Sequence, residues 1–209
     1  MAHNAVIAFE VATMKKTVVL GMILAASGPL LQGCAAVLAG GAVTTATVAR
    51  DQRTAGTILD DSRIESKAGD FFEADAELSQ QAHLNVTAHN GMVLLVGQTP
   101  TEELKKRAVE YVSRIAKVRH IYDELTVQAP IPTLTRTNDG LITTKVKGKL
   151  VSVRDVNSTD VKVVTENGVV YLMGLLDQPT GDAVAEVVAG LSGVSKVVKL
   201  FEAPNAPRS

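Results

Sequence analysis

Two copies of a small α-β-β-α-β unit, an α+β architecture, are what this 209-residue sequence predicts. Three observations predict it: an internal repeat, an Asn-Gly pair between alternating apolar segments in each copy, and helical apolar stripes on both sides of each hairpin. Residues 84–97 (LNVTAHNGMVLLVG) and 161–174 (VKVVTENGVVYLMG) align at a spacing of 77, with identities at Val86/Val163, Asn90/Asn167, Gly91/Gly168, Val93/Val170, Leu95/Leu172 and Gly97/Gly174. Self-similarity at a fixed period is the mark of a repeated structural unit. Farther on, Val112 pairs with Val188 and Val118 with Val194, which puts a one-residue length change in the intervening loop.

The elements follow in the same order in each copy. Ile64, Ala68 and Phe72 recur at helical spacing and predict a first helix; Ile142, Val146 and Leu150 predict its counterpart, with Asn138-Asp139 as its N-cap. Leu84, Val86 and Ala88, then Asn90-Gly91, then Val93 and Leu95 predict a β-hairpin. Its two-residue turn needs positive φ at both centres, which Asn-Gly supplies best. Val161, Val163, Asn167-Gly168, Val170 and Leu172 repeat it. Thr99-Pro100-Thr101-Glu102 reads as a capping box with proline at the first helical position, ahead of Leu104, Ala108, Val112 and Ile115. Residues 118–127 and 194–200 alternate as closing strands.

The strand-helix-strand crossover makes the last strand parallel to one hairpin strand, giving a three-stranded mixed sheet with both helices on one face. Units of about 65 residues bury only ~60% of their unfolded surface. The two copies are therefore expected to pack against each other. Between them, residues 129–138 (APIPTLTRTN) read as a stiff, extended Pro/Thr linker.

Composition narrows the function. A net charge of −1 and a pI near 6.4 provide no general basic field for nucleic acid. The single cysteine, Cys34, excludes an internal disulfide, a multi-cysteine zinc site and a CxxC redox pair. It ends the run Leu30-Leu31-Gln32-Gly33-Cys34, behind an uncharged apolar stretch at 17–31 and Lys15-Lys16. That is the layout of an export signal, and fifteen residues are too few for a span that needs about 20. Residues 1–13 hold Glu10 and no Lys or Arg, so Met14 is the expected start of translation. The expected division is a leader at 1–33, a lipidated end and flexible tether at 34–58, one repeat unit at 59–128, the linker at 129–138, the second unit at 139–203, and a tail at 204–209.

Leu-x-Gly-Cys resembles the lipobox of bacterial lipoproteins, which implies cleavage before Cys34 and diacylglyceryl and N-acyl lipid on that residue. Two or more acyl chains anchor stably where one is marginal. Ala35 follows where an inner-membrane lipoprotein resembles Cys-Asp, so the analogy favours the outer membrane. The lipobox, the αββαβ units and the hairpin Asn-Gly together resemble the BON-domain family. The segments 85–88, 91–98, 142–146, 165–168 and 173–175 are closely similar to lipoproteins with two such domains, and the likeness runs from Cys34 to the last strand. One departure is visible: the family's Gly-Val after the second helix is present as Gly193-Val194 but is Lys117-Val118 in the first copy. The resemblance implies a non-catalytic, periplasm-facing outer-membrane protein that supports envelope integrity, binds anionic phospholipid through its second BON domain, gathers at the division site and contacts the barrel-assembly machinery.

The residues themselves show little catalytic chemistry. There is no GxSxG, HExxH, GxxxxGK[ST] or GxGxxG, and His83, His89 and His120 lack metal-ligand spacing. His83 and His89, at a strand start and near a turn, read as solvated. Asp60-Asp61, Glu102-Glu103 and Asp123-Glu124 read as caps and solvated faces. Neither a cofactor nor a metal is expected. From Leu141 to Arg154, however, Lys145, Lys147, Lys149 and Arg154 occur without an acid, interleaved with apolar residues at helical spacing. This basic amphipathic helix suits an anionic membrane surface, although the same pattern describes a core helix with a solvated side. The resemblance favours the membrane: Leu141 is then the inserted apolar tip, and Lys145, Lys149 and Arg154 contact headgroups. Two rivals stand beside it. One is a periplasmic adaptor for the barrel-assembly machinery with lipid binding incidental; the other is a periplasmic enzyme acting on envelope polymers, which would require convergent carboxylates that the sequence does not show.

Overall fold

The computed structural model describes residues 53–153 and 156–204, all within one compact unit. Cys34, the leader, residues 34–52 of the expected tether and Arg154 lie outside the described residues, and residues 55–58, expected in that tether, are helical, because Thr54 caps the first helix by accepting from the N–H of Thr57. The first copy comprises α1 (Ala55–Ala74), α2 (Ala76–Gln81), β1 (His83–His89), β2 (Met92–Thr99), α3 (Glu102–Ser113) and β3 (His120–Val127). The second comprises α4 (Thr133–Leu150), β4 (Val161–Glu166), β5 (Val169–Leu175), α5 (Gln178–Ala189) and β6 (Lys196–Glu202). In each copy the hairpin is antiparallel and the last strand pairs in parallel with the hairpin's second strand, which is central. The expected αββαβ unit is therefore present twice, with a short α2 added to the first.

Each hairpin turns on Asn-Gly with positive φ at both centres, 54° and 76° in the first copy and 50° and 75° in the second. Gly97 and Gly174, identical in the repeat, serve another purpose. A Cβ on Gly97 would lie 1.9 Å from the His83 carbonyl oxygen, and one on Gly174 would lie 2.4 Å from that of Asp160. Only glycine lets the neighbouring backbone approach so closely. The first copy's Lys117-Val118 meets its missing glycine directly: Lys117 itself takes φ 75°, where Gly193 has φ 98°.

One apolar face of each sheet is covered by that copy's helices. Ile64, Ala68, Phe72, Leu104, Ala108 and Val112 meet Ala88, Val93 and Leu95, and Ile142, Val146, Leu150, Val184 and Val188 meet Val163, Val170 and Leu172. The residues that alternate with these point the other way and form a third core. Leu94 and Val96 of the first sheet pack with Val164, Tyr171, Met173 and Leu200 of the second. The two copies thus bury their second faces against each other, as their size requires. Polar bonds frame this apolar contact. Buried Gln98 donates to Glu166 Oε1 at 2.6 Å and accepts from the N–H of Ile131 at 3.1 Å. Arg119 pairs with Glu202 at 3.0 Å, and Asn90 Nδ2 donates to Glu202 at 2.8 Å.

Several expectations are corrected. The second-copy helix starts at Thr133, so residues 133–138 are helical and only 128–132 connect the copies. Its N-cap is Pro132, without a side-chain cap bond, and the Pro132 carbonyl accepts the N–H groups of Thr135 and Arg136. The expected capping box also fails: Thr99 still belongs to β2, paired with Val127, and Thr101 caps α3 by accepting from the N–H of Leu104. Asp61 is not a solvated acid, and Asp139 is not a cap. Both are 3% exposed and hold the hairpin turns. Finally, His89 is buried rather than solvated.

Candidate membrane-facing site

Why α4 lies where it does follows from Asp139. Its carboxylate accepts the N–H of Asn167 through Oδ2 and of Gly168 through Oδ1, each at 2.8 Å. Asp61 does the same in the first copy, accepting from Asn90 at 2.7 Å and Gly91 at 2.8 Å, while Arg53 pairs with it at 2.6 Å. A tight Asn-Gly turn leaves its backbone N–H groups pointing outward, and a buried donor without an acceptor is costly. A carboxylate three residues ahead of the first core isoleucine meets both. In the second copy, Thr143 adds a bond to Thr165 at 2.8 Å. These bonds and the stripe of Ile142, Val146 and Leu150 turn one side of α4 inward.

The opposite side is the candidate site. Leu141 is 58% exposed on it, and Leu134, seven residues earlier and therefore on the same ridge, is 81% exposed. Just past the helix end Val151 is 72% exposed. Lys145, Lys147 and Lys149 are exposed beside them, and the only acid on α4, Asp139, is buried. Among the described residues, no ion pair engages any of the three lysines. Lys147 and Lys149 also stand in the last turn, where cations complement the helix dipole.

Of the residues expected to meet a membrane, Leu141, Lys145 and Lys149 are thus brought together on one face. Leu134 and Val151 belong to the same exposed surface without having been expected there; the seven-residue interval from Leu134 to Leu141 is the signal that points to the first of them. The chemistry of this face is cationic and apolar, suited to contact with a surface. A cleft of about 380 Å3 lies behind α4, between β1 and β4, lined by His83, Asn85, Arg136, Thr143 and Glu166 among others. His83 Nε2 is 3.9 Å from Glu166 there. Among the described residues no cluster of His, Cys, Asp or Glu could hold a metal ion, and no helix is long and apolar enough to cross a membrane.

Comparison with known proteins places this arrangement. The BON domain family model matches residues 60–129 and 138–205. The chain is 39% identical over 180 residues to the Outer membrane lipoprotein DolP of Haemophilus influenzae, covering 86% of this chain and 93% of that one. It is 40% identical over 151 residues to a protein of Actinobacillus pleuropneumoniae named 21 kDa hemolysin, covering 72% and 78%. A solved structure of CdsD, a structural protein of the type III secretion system of Chlamydia trachomatis, is a distant likeness at 13% identity and a TM-score of 0.27, covering 65% of this chain and 90% of that one. Two repeated αββαβ units, both matched by the family model, and close identity over most of a relative's length make this chain a member of the BON-domain family, a two-domain lipoprotein of the outer-membrane DolP type.

Proposed function

We propose that this lipoprotein, anchored through acylated Cys34 on the periplasmic side of the outer membrane, recognises anionic phospholipid through α4 of its second BON domain and thereby supports membrane integrity. It does so as a binding protein, without catalysis. The observation that carries the reading is the outward side of α4, where exposed Leu134, Leu141 and Val151 stand among three lysines with no exposed acid on the helix. An apolar ridge between cations suits the headgroup boundary of a bilayer. Each lysine near an anionic surface contributes roughly 1 kcal/mol within a Debye length, and apolar side chains add their transfer energy. Such a site is weak alone. The anchor raises its effective concentration, so modest affinity suffices to sort the protein among lipid environments. Arg154, the remaining expected headgroup contact, lies outside the described residues.

The test uses the unacylated chain from Ala35, so that no acyl anchor masks the site. Co-sedimentation with vesicles of phosphatidylglycerol in phosphatidylcholine should show binding that is lost with Lys145→Glu/Lys149→Glu and absent with phosphatidylcholine alone. Equal binding by the double variant would refute this surface.

A further inference from the structure

The two copies share a backbone plan but carry opposite charge on the same helix. Asp61 and Asp139, Ile64 and Ile142, Ala68 and Val146, and Phe72 and Leu150 correspond at a spacing of 78, and each pair is buried in the same role. Counted from that alignment, α1 carries Asp60, Asp61, Glu65, Asp70 and Glu73 against Arg63 and Lys67, a net −3, within which Asp61 is buried against Arg53 and Glu65 pairs with Lys162 at 3.4 Å. The helix α4 carries Arg136, Lys145, Lys147 and Lys149 against Asp139, a net +3. The differences fall on exposed positions. Asp70 stands where α4 has Gly148, Glu73 where the second copy has Val151, and Arg63, paired with Asp60 at 3.3 Å, where α4 presents Leu141. The following helix, α2, adds Glu77 and its N-cap Asp75, both engaged by Arg107.

We infer that the acidic C-terminal end of α1, at exposed Asp70 and Glu73, is a specificity determinant for membrane docking: it repels an anionic bilayer, so that the chain docks through α4 alone and in a single orientation. This rests on the lipid-binding reading of α4. A duplicated domain brings a hazard, because two equivalent helices on one compact unit offer two competing docking faces. Coulomb repulsion at Asp70 and Glu73, with Arg63 standing in the place of Leu141, removes one of them even though α1 exposes Leu59 and Phe71. The mechanism is discrimination by a repulsive element rather than by a better contact. Its effect is to leave the helical face of the first BON domain turned away from the headgroups.

The experiment compares four unacylated chains beginning at Ala35, on vesicles of phosphatidylglycerol in phosphatidylcholine at low salt: wild type, Asp70→Lys/Glu73→Lys, Lys145→Glu/Lys149→Glu, and all four changes together. Both first-copy positions are exposed, and circular dichroism checks that the fold is retained. The gentler Asp70→Asn/Glu73→Gln removes repulsion without adding attraction. With roughly fivefold expected per lysine brought to the surface, Asp70→Lys/Glu73→Lys should tighten binding about tenfold or more. It should also restore binding to the chain whose α4 has been reversed, and the neutral pair should give a smaller gain. Wild-type binding with no gain from either first-copy variant would overturn this inference and leave the α4 reading standing. Absence of wild-type binding would overturn both.

Discussion

Replacing Asp139 by alanine separates two accounts of what a carboxylate does in a helix. In the structure Asp139 is 3% exposed and accepts two backbone N–H groups from the Asn167-Gly168 turn, at 2.8 Å each. Bonds to a charged acceptor contribute more than neutral ones, and a buried donor left without a partner costs about 1–3 kcal/mol. Losing both should therefore cost about 3–4 kcal/mol, a large share of a domain stability of order 5–15 kcal/mol. Asp139→Asn keeps one carbonyl oxygen in place and should cost about 1–2 kcal/mol by the same reasoning. Were Asp139 an N-cap, alanine would cost about 1 kcal/mol and asparagine, an equally good cap, almost nothing. Urea unfolding followed by circular dichroism measures both. A neutral Asp139→Asn together with a loss of about 1 kcal/mol or less for Asp139→Ala would refute the turn-holding role.

Three further outcomes follow from the same structure. Lys117→Gly should stabilise the chain by about 0.5–1 kcal/mol in thermal or urea unfolding, because a lysine at φ 75° bears a left-handed strain that glycine lacks. No gain would mean that the loop is relaxed as it stands. Met173→Ala empties a position that is 1% exposed at the contact between the two sheets, and should cost about 2–5 kcal/mol. It should also split a single unfolding transition into two, and an unchanged single transition would count against the third core as the link between copies. Acid should weaken the fold through two N-cap carboxylates. Asp75 is held below its ordinary value of 3.8 by the Leu78 N–H and then by Arg107 and Tyr111, and Asp177 by the side chain and N–H of Thr180. A carboxylate with a lowered folded-state pKa contributes fully above its unfolded value. That contribution drains away as the pH falls below about 3.8 through the folded values. Asp75→Asn/Asp177→Asn should flatten the acid limb of a pH–stability curve; an unaltered limb would assign it to other groups.

The hairpins and both core stripes are legible in the residues because their signals are local. Asn90-Gly91 and Asn167-Gly168 specify a turn within two positions, and Ile142, Val146 and Leu150 specify a face within three turns of helix. The long-range roles are hidden. An aspartate before a run of helical apolar residues looks like a cap, and only the fold brings Asp61 to Asn90 or Asp139 to Asn167. Even so, the repeat holds the clue, since an aspartate stands three residues ahead of the first core isoleucine in both copies. The start of α4 is obscured because Pro132 begins it with fixed φ and no side-chain cap bond, leaving no Ser, Asp or Asn signal at that point. Without the first two turns, Leu134 cannot be joined to Leu141. Gln98, Glu166 and His89 read as ordinary strand or turn residues because their burial comes from the second sheet and the tertiary packing, which no local period encodes.

The most direct measurement places a probe at the tip of α4. Cys34 is the sole cysteine, so the unacylated chain from Ala35 has none, and Leu141→Cys can be labelled there alone with an environment-sensitive fluorophore. On vesicles of phosphatidylglycerol in phosphatidylcholine the emission should shift to the blue, and high salt, which screens the lysines, should reverse the shift. A label that stays in water while the protein sediments with those vesicles would contradict docking through α4.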